Sequence, residues 1–424
     1  MKRFNDNLRK IFAVLLIILT TSASLRALPL TEASTEAIAD ISSDEWLDSV
    51  DISLLTCGPG HEVWSLYGHT ALRIEDKVHG TDFAVNWGLF SFQQSGFVVR
   101  FVFGLTDYTM GIYPTQVFLS EYESEGRWVR QQRIRLSRTE KMKIMQEVNN
   151  LNNQEDWTYR YNYFYDNCTT RARDMLLDNI GLKNVSLPQG SPKSTYRREI
   201  HKLNEHDRWA RFGNDLLLGY QSDRSISRKH WEFLPDNLSK DFDITKRRDF
   251  VLANPYKAKA KGEVALVDSS FYLIAPEAVS EPQTKGITPS MVFLALGAVI
   301  LAASLFELKK RKNLWWIDAT LQLATGLAGL ILLAMVFSLH PTVRTNFQIL
   351  LLCPLNLLFL WPVVKGLRHG KISTCFHIEA ALLLLFLLLQ FWQSYAEGMM
   401  ILALTLLIRY IFKNIQAHQH VKET

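Results

Sequence analysis

Apolar and polar positions are distributed very differently along the two parts of this chain. From Pro289 to Phe412 the sequence is mostly Leu, Ile, Val, Phe and Ala, whereas residues 28–286 are polar and rich in Arg, Asp, Asn, Tyr and Trp. The apolar part divides into five segments long enough to be read as membrane spans: Pro289–Phe306, Leu314–Phe337, Phe347–Val364, Thr374–Trp392 and Ala396–Phe412. In the polar part the period changes from element to element. Tyr67–Ile74 alternates, with Thr70, Leu72 and Ile74 on one face and His69, Ala71 and Arg73 on the other, and predicts a strand. Phe83–Leu89 alternates again, with Phe83, Val85, Trp87 and Leu89 apolar and Ala84, Asn86 and Gly88 opposite. A hairpin centred near Val78 joins the two, placing residue 87 opposite residue 69 and, within one residue, Asn86 beside His69. Arg127–Leu136 predicts a further strand. Ser137 and Glu140 form a capping box, opening a helix with Met142, Met145, Val148 and Leu151 as its stripe. A second helix, striped by Ala172, Met175, Leu176 and Ile180, is capped by Asp166 or Asn167 and stops at Gly181.

Composition alone hides this division. The 424 residues are 48% apolar and 21% charged with a net charge of +5, values of an ordinary soluble protein. The clustered apolar spans exclude that class. The charge is mild and its basic residues are scattered or flank apolar runs, which argues against a nucleic-acid partner. Four cysteines are too few for a disulfide framework, and neither CxxC nor HExxH occurs, so no metal motif stands out. Lys2, Arg3, Arg9 and Lys10 precede the apolar run Ile11–Leu19, the pattern of an export signal over residues 1–27. Basic residues then orient the spans. Lys309, Lys310, Arg311 and Lys312, then Lys365, Arg368 and Lys371, then Arg409, Lys413 and Lys422 mark loops one and three and the tail as cytoplasmic. The expected plan is a signal over 1–27, an exported α+β domain over 28–286, an all-α five-helix transmembrane bundle over 287–413 and a cytoplasmic tail over 414–424.

Candidate chemistry converges on one helix start. Cys168 lies at the N-terminus of the second helix, where free N–H groups and the helix dipole stabilise a thiolate and can donate to an oxyanion. His69 supplies a base and Asn86 a group to orient it, the set of residue types a cysteine nucleophile needs. Two other readings stay open for Cys168, burial as a packing residue and a disulfide with Cys57, which sits at a strand end before the turn Gly58-Pro59-Gly60. Tyr161 and Asn167 beside the cysteine are candidates for substrate contact. Arg171 is a candidate phosphate ligand, against the alternative of a solvated helix-face residue. In the membrane part, Asn356 within the third span faces a helix or a cavity, and His340 in loop two is either a substrate-facing or an interfacial residue.

Three runs carry a resemblance: Leu54-Leu55-Thr56-Cys57-Gly58-Pro59-Gly60, Gly68-His69-Thr70-Ala71, and Tyr161-Asn162-Tyr163-Phe164-Tyr165-Asp166-Asn167-Cys168-Thr169-Thr170-Arg171. Together with the export signal and the five spans they resemble the Lnb-type lipoprotein N-acyltransferases of Bacteroidota. A His on a strand ahead of an Asn-Cys at a helix start is also similar to the permuted papain-like folds, NlpC/P60-like and lecithin:retinol acyltransferase (LRAT)-like. The resemblance implies an inner-membrane enzyme with a periplasmic catalytic domain, and a thioester acyl-enzyme on Cys168 with His69 as base. It implies a phospholipid as acyl donor, a diacylated lipoprotein as acceptor and no cofactor. The resemblance does not name the third residue; the hairpin register gives Asn86, with Asp82 as runner-up. The rivals are a cell-wall cysteine amidase or peptidase of the same fold and a non-catalytic envelope scaffold.

Overall fold

The computed structural model describes residues 44–62, 65–89, 96, 99–100, 103–154, 157–248, 263–276 and 286–423. The export signal expected over 1–27 lies outside them. The chain forms two compact units, and each is discontinuous in sequence. Of the described residues, the first unit holds those from 44 to 192 and from 227 to 276; the second holds those from 193 to 226 and from 286 onward. The boundary expected at 286 therefore does not enclose one continuous polar domain. The reason is packing: Phe212, Leu216 and Leu217 join an apolar cluster with Leu332, Leu351, Ala396 and Met399.

The first unit is built on a seven-stranded sheet. Its strands are β1 (Val50–Cys57), β2 (His69–Asp76), β3 (Thr81–Leu89), β4 (Asp107–Pro114), β5 (Val129–Ile134), β6 (Tyr159–Arg160) and β7 (Val267–Ile274), in the order β7-β5-β1-β2-β3-β4-β6. One face, with Val50, Ile52, Leu54, Leu72, Val85 and Trp87, packs on helices α2 (Arg138–Asn152), α3 (Cys168–Ile180) and α4 (Pro235–Ile244). On the other face Leu55, Cys57, Ala71, Ala84 and Val129 lie under Phe118 and Tyr122 of α1 (Thr115–Ser124). Covering both faces explains why β1 is buried almost continuously rather than alternately.

Local chemistry sets the helix ends as expected. Ser137 and Glu140 make the capping box of α2, and Gly181 stops α3 at φ +85°. The buried stripe of α2 differs: Ile144 and Val148 are buried, while Met142 is exposed. Successive steps of three residues drift round a helix of ~3.6 residues per turn, so Met142 and Leu151 lie on opposite sides. The spacing 144, 148, 151 follows one side.

Among the described residues of the second unit, four helical stretches are long and apolar enough to cross a membrane: Pro289–Lys310, Trp315–Val336, Pro341–Arg368 and Met399–Gln419. Thr374–Leu389 is apolar but shorter. Asn356 donates to Thr325 Oγ1 at 2.8 Å and so faces a neighbouring helix. It also lines a cavity of about 40 Å³ with Gln322 and Glu379. Two basic residues read above as tail charges are instead internal. Arg409 binds both oxygens of Asp318, at 2.9 and 2.8 Å, and pairs with Glu307. Lys413 donates to Glu307 at 2.7 Å. All four are buried, so the basic excess of that side rests on the other Lys and Arg residues.

Candidate active site

Cys168 opens α3, and the sequence before it builds that start. Asn167 caps the helix: its Oδ1 accepts from the N–H of Thr169 and Thr170, each at 2.9 Å. Its Nδ2 donates to the carbonyls of Tyr163, at 2.8 Å, and Phe233, at 2.9 Å. Two lone pairs and two N–H groups are thereby all used, which corrects the expectation that Asn167 contacts substrate. It shapes the turn that presents the cysteine. A second tie, Thr70 Oγ1 to Thr169 Oγ1 at 3.0 Å, fixes the helix start against β2.

His69 is the first residue of β2, on the face covered by α1, with its ring 6.5 Å from that of Phe118. Gly68 before it has φ +76°, and a Cβ there would lie 2.7 Å from the Cys57 carbonyl, so only glycine fits that entry. His69 Nε2 lies 2.6 Å from Asn86 Oδ1. A side-chain amide oxygen only accepts, so Nε2 carries the proton of that bond, and the ring lies within electrostatic reach of the Cys168 thiol. The β2–β3 register pairs Ala71 with Asn86; continued, it places Gly88 opposite His69, and Asn86 reaches the ring diagonally. The sequence estimate of residue 87 was one position short. Asp82 is engaged elsewhere, accepting from Arg73 at 2.8 and 2.7 Å and from Thr115 at 2.6 Å.

Electrostatics separate the two sulfurs. Burial raises the Cys168 thiol, but the facing His69 charge and hydrogen bond, the Thr70 N–H and the Thr169 hydroxyl outweigh it and hold the thiol below its ordinary value. Burial lowers the His69 imidazolium, but Cys168 and Asn86 outweigh it and raise it above the usual histidine value. The pair thus favours thiolate and imidazolium. Cys57 is free, fully enclosed between His69 and Val129 in the sheet register, and burial pushes its thiol up to about 12. Cys168 is likewise free, so no bridge joins them.

Aromatic residues wall the cysteine. Tyr161 stacks on Tyr108 with centroids 4.1 Å apart, and Tyr159 lies against Trp157 at 5.6 Å. Arg171 binds Asp166 through two nitrogens, at 2.5 and 2.6 Å, and its guanidinium lies 4.3 Å from the Tyr159 ring centre. It is partly exposed and paired, so it is not an unoccupied cation. His340 belongs to the second unit, where it precedes the short helix Pro341–Arg344. Among the described residues no group of three or more His, Cys, Asp or Glu is arranged to hold a metal.

Sequence reasoning passed over two parts of this site: Tyr159, and the break in β3 at Gly88, where φ is +96° and the register to β4 shifts. A lone glycine ending an alternating strand was the available signal for the second.

No curated protein and no solved structure matches this chain significantly. Two family models do: the Lnb N-terminal periplasmic domain over residues 42–200, which contains His69, Asn86 and Cys168, and the Lnb transmembrane domain over residues 281–420. Together they span well over half the sequence, and the chain belongs to the Lnb family, as an inner-membrane protein with a periplasmic N-terminal domain.

Proposed function

We propose that this protein is a lipoprotein N-acyltransferase working through a thioester on Cys168. The observation that carries the reading is the Cys168–His69–Asn86 arrangement at a capped helix start, which favours a thiolate beside an imidazolium. In the first half-reaction the Cys168 sulfur adds to an ester carbonyl of a phospholipid. The C–S bond forms and the C–O bond breaks. The departing glycerol oxygen takes the proton from His69, releasing a lysophospholipid. In the second half-reaction the α-amine of a diacylated N-terminal cysteine attacks the thioester, His69 accepts the amine proton, and the thiolate leaves as the amide forms. No cofactor enters either step.

A phospholipid donor and a lipid-modified acceptor both reside in a bilayer, which suits a catalytic domain carried on apolar helices. The five-span reading adds Thr374–Leu389 to the four longer stretches, and the clusters Lys309–Lys312 and Lys365, Arg368 and Lys371 support a cytoplasmic C-terminus. The His-on-strand and Asn-Cys-at-helix order supports a permuted papain-like fold for the first unit.

The test is trapping. Purified protein incubated with phospholipid alone is expected to carry one acyl chain on Cys168, released by neutral hydroxylamine. Adding a diacylated lipopeptide should discharge the chain to a hydroxylamine-resistant amide, and Cys168→Ala should abolish both. Full transfer by Cys168→Ala would refute the assignment; cell-wall cleavage in place of transfer would favour an amidase.

A further inference from the structure

Tyr159 is 5% exposed, and its hydroxyl has no hydrogen-bond partner among the described residues. A buried phenol normally finds a partner, so one left open in a reactive site calls for an explanation. Its position supplies one. The point where a Cβ of Gly88 would stand is 3.9 Å from Tyr159 Oη, 3.9 Å from Cys168 Cβ and 4.0 Å from His69 Cε1. The space is open because Gly88, at φ +96° in the broken end of β3, carries no side chain, and the three groups converge on it.

Resting on the acyl-transfer reading above, we propose that Tyr159 is a catalytic residue whose hydroxyl donates to the oxyanion of the tetrahedral intermediates on Cys168. As the thiolate adds, the C–S bond forms and the carbonyl π pair moves onto oxygen. Tyr159 donates a hydrogen bond to that oxygen and keeps its proton. When the intermediate collapses the pair returns, and the C–O bond of the donor breaks as described. The cap leaves a companion donor: Asn167 takes the N–H of Thr169 and Thr170, and its own carbonyl takes that of Arg171, so the Cys168 N–H is the first-turn donor the cap does not use. Burial raises the Tyr159 phenol and keeps it protonated, as a donor must be. The ring is held by β6 pairing with β4, by Trp157 and by the Arg171 guanidinium, so the hydroxyl is placed before substrate arrives.

The test separates oxyanion stabilisation from thiol activation. Tyr159→Phe in the full-length, membrane-inserted protein keeps the ring and its stacking. Single-turnover acylation of Cys168 by a p-nitrophenyl ester should slow about 10²–10³-fold, the effect of removing one such donor. Alkylation of Cys168 by iodoacetamide, which passes through no oxyanion, should keep its rate and its pH midpoint. Equal losses in both reactions would make Tyr159 a positioning residue for the thiolate and overturn the proposal, as would undiminished acylation. A wild-type protein that alkylates at Cys168 but is acylated by no ester would overturn the acyl-transfer reading itself, and this proposal with it.

Discussion

His69 has two nitrogens, and Nε2–H is spent on Asn86, which fixes the tautomer and leaves the other nitrogen free to exchange a proton. Because the Asn86 amide raises the imidazolium, Asn86→Ala should lower the His69 pKa and, by weakening its partner, raise that of Cys168. Thiolate is lost as pH falls through the thiol pKa, and the proton donor is lost as pH rises through the imidazolium pKa. The pH window for acylation should therefore narrow from both sides. A pH series of Cys168 alkylation checks the lower limb, whose midpoint should move upward. His69→Ala should slow acylation about 10²–10⁴-fold, and Asn86→Ala less. Cysteine and histidine were legible at this scale because a helix start and a strand face are written in local periodicity. Asn86 was legible only to within one register position, since residues 77–80 form an even-numbered turn that reflection about Val78 does not reproduce. Tyr159 was not legible, because its meaning depends on a bulge in β3 and a two-residue ladder that no local pattern announces.

At the scale of elements, the start of α3 depends on one side chain. Asn167→Ala removes both hydrogen bonds of the cap and takes the amide donor from the carbonyls of Tyr163 and Phe233. The loss should be about 2–3 kcal/mol, at the upper end for an N-cap, with activity falling alongside as Cys168 loses its anchorage. Asn167→Asp, which keeps the acceptor but not the donors, should lie between. Thermal unfolding of the purified protein gives the order; equal stability of all three forms would contradict it. The elements themselves were read well where capping and stopping residues marked them, as at Ser137 and Gly181. They were read poorly where a stripe was counted in steps of three, as in α2.

At the scale of the whole molecule, buried charge organises the apolar part. Arg409 and Lys413 on the last helix meet Glu307 and Asp318 on the first two. Opposite charges removed from water together tolerate each other; one left alone does not. Arg409→Met should therefore destabilise the protein by about 3–5 kcal/mol, seen as earlier thermal aggregation in detergent. Asp318→Leu combined with Arg409→Met should recover much of that loss, and failure of the pair to recover anything would show that the charges do not act as a set. Simple counting of basic residues could not reveal this, because a lysine in a tail and a lysine in an ion pair read alike in sequence.

The interleaving of the two units bears on the order in which the chain is finished. Residues 193–226 are made before any of the apolar helices, yet their partners come later. The N–H of Gly219 waits for the carbonyl of Thr342 and that of Tyr220 for Thr345, while the carbonyl of Leu216 waits for the amide of Asn346. Although much of the stretch pairs with itself, these backbone groups must wait until more than a hundred further residues have been synthesised. A polypeptide stopped at 286 would keep Cys168, His69 and Asn86 but leave backbone groups of Leu216, Gly219 and Tyr220 without the partners that come later. A failed insertion would thus leave a short, unsatisfied strip of backbone at residues 216–220.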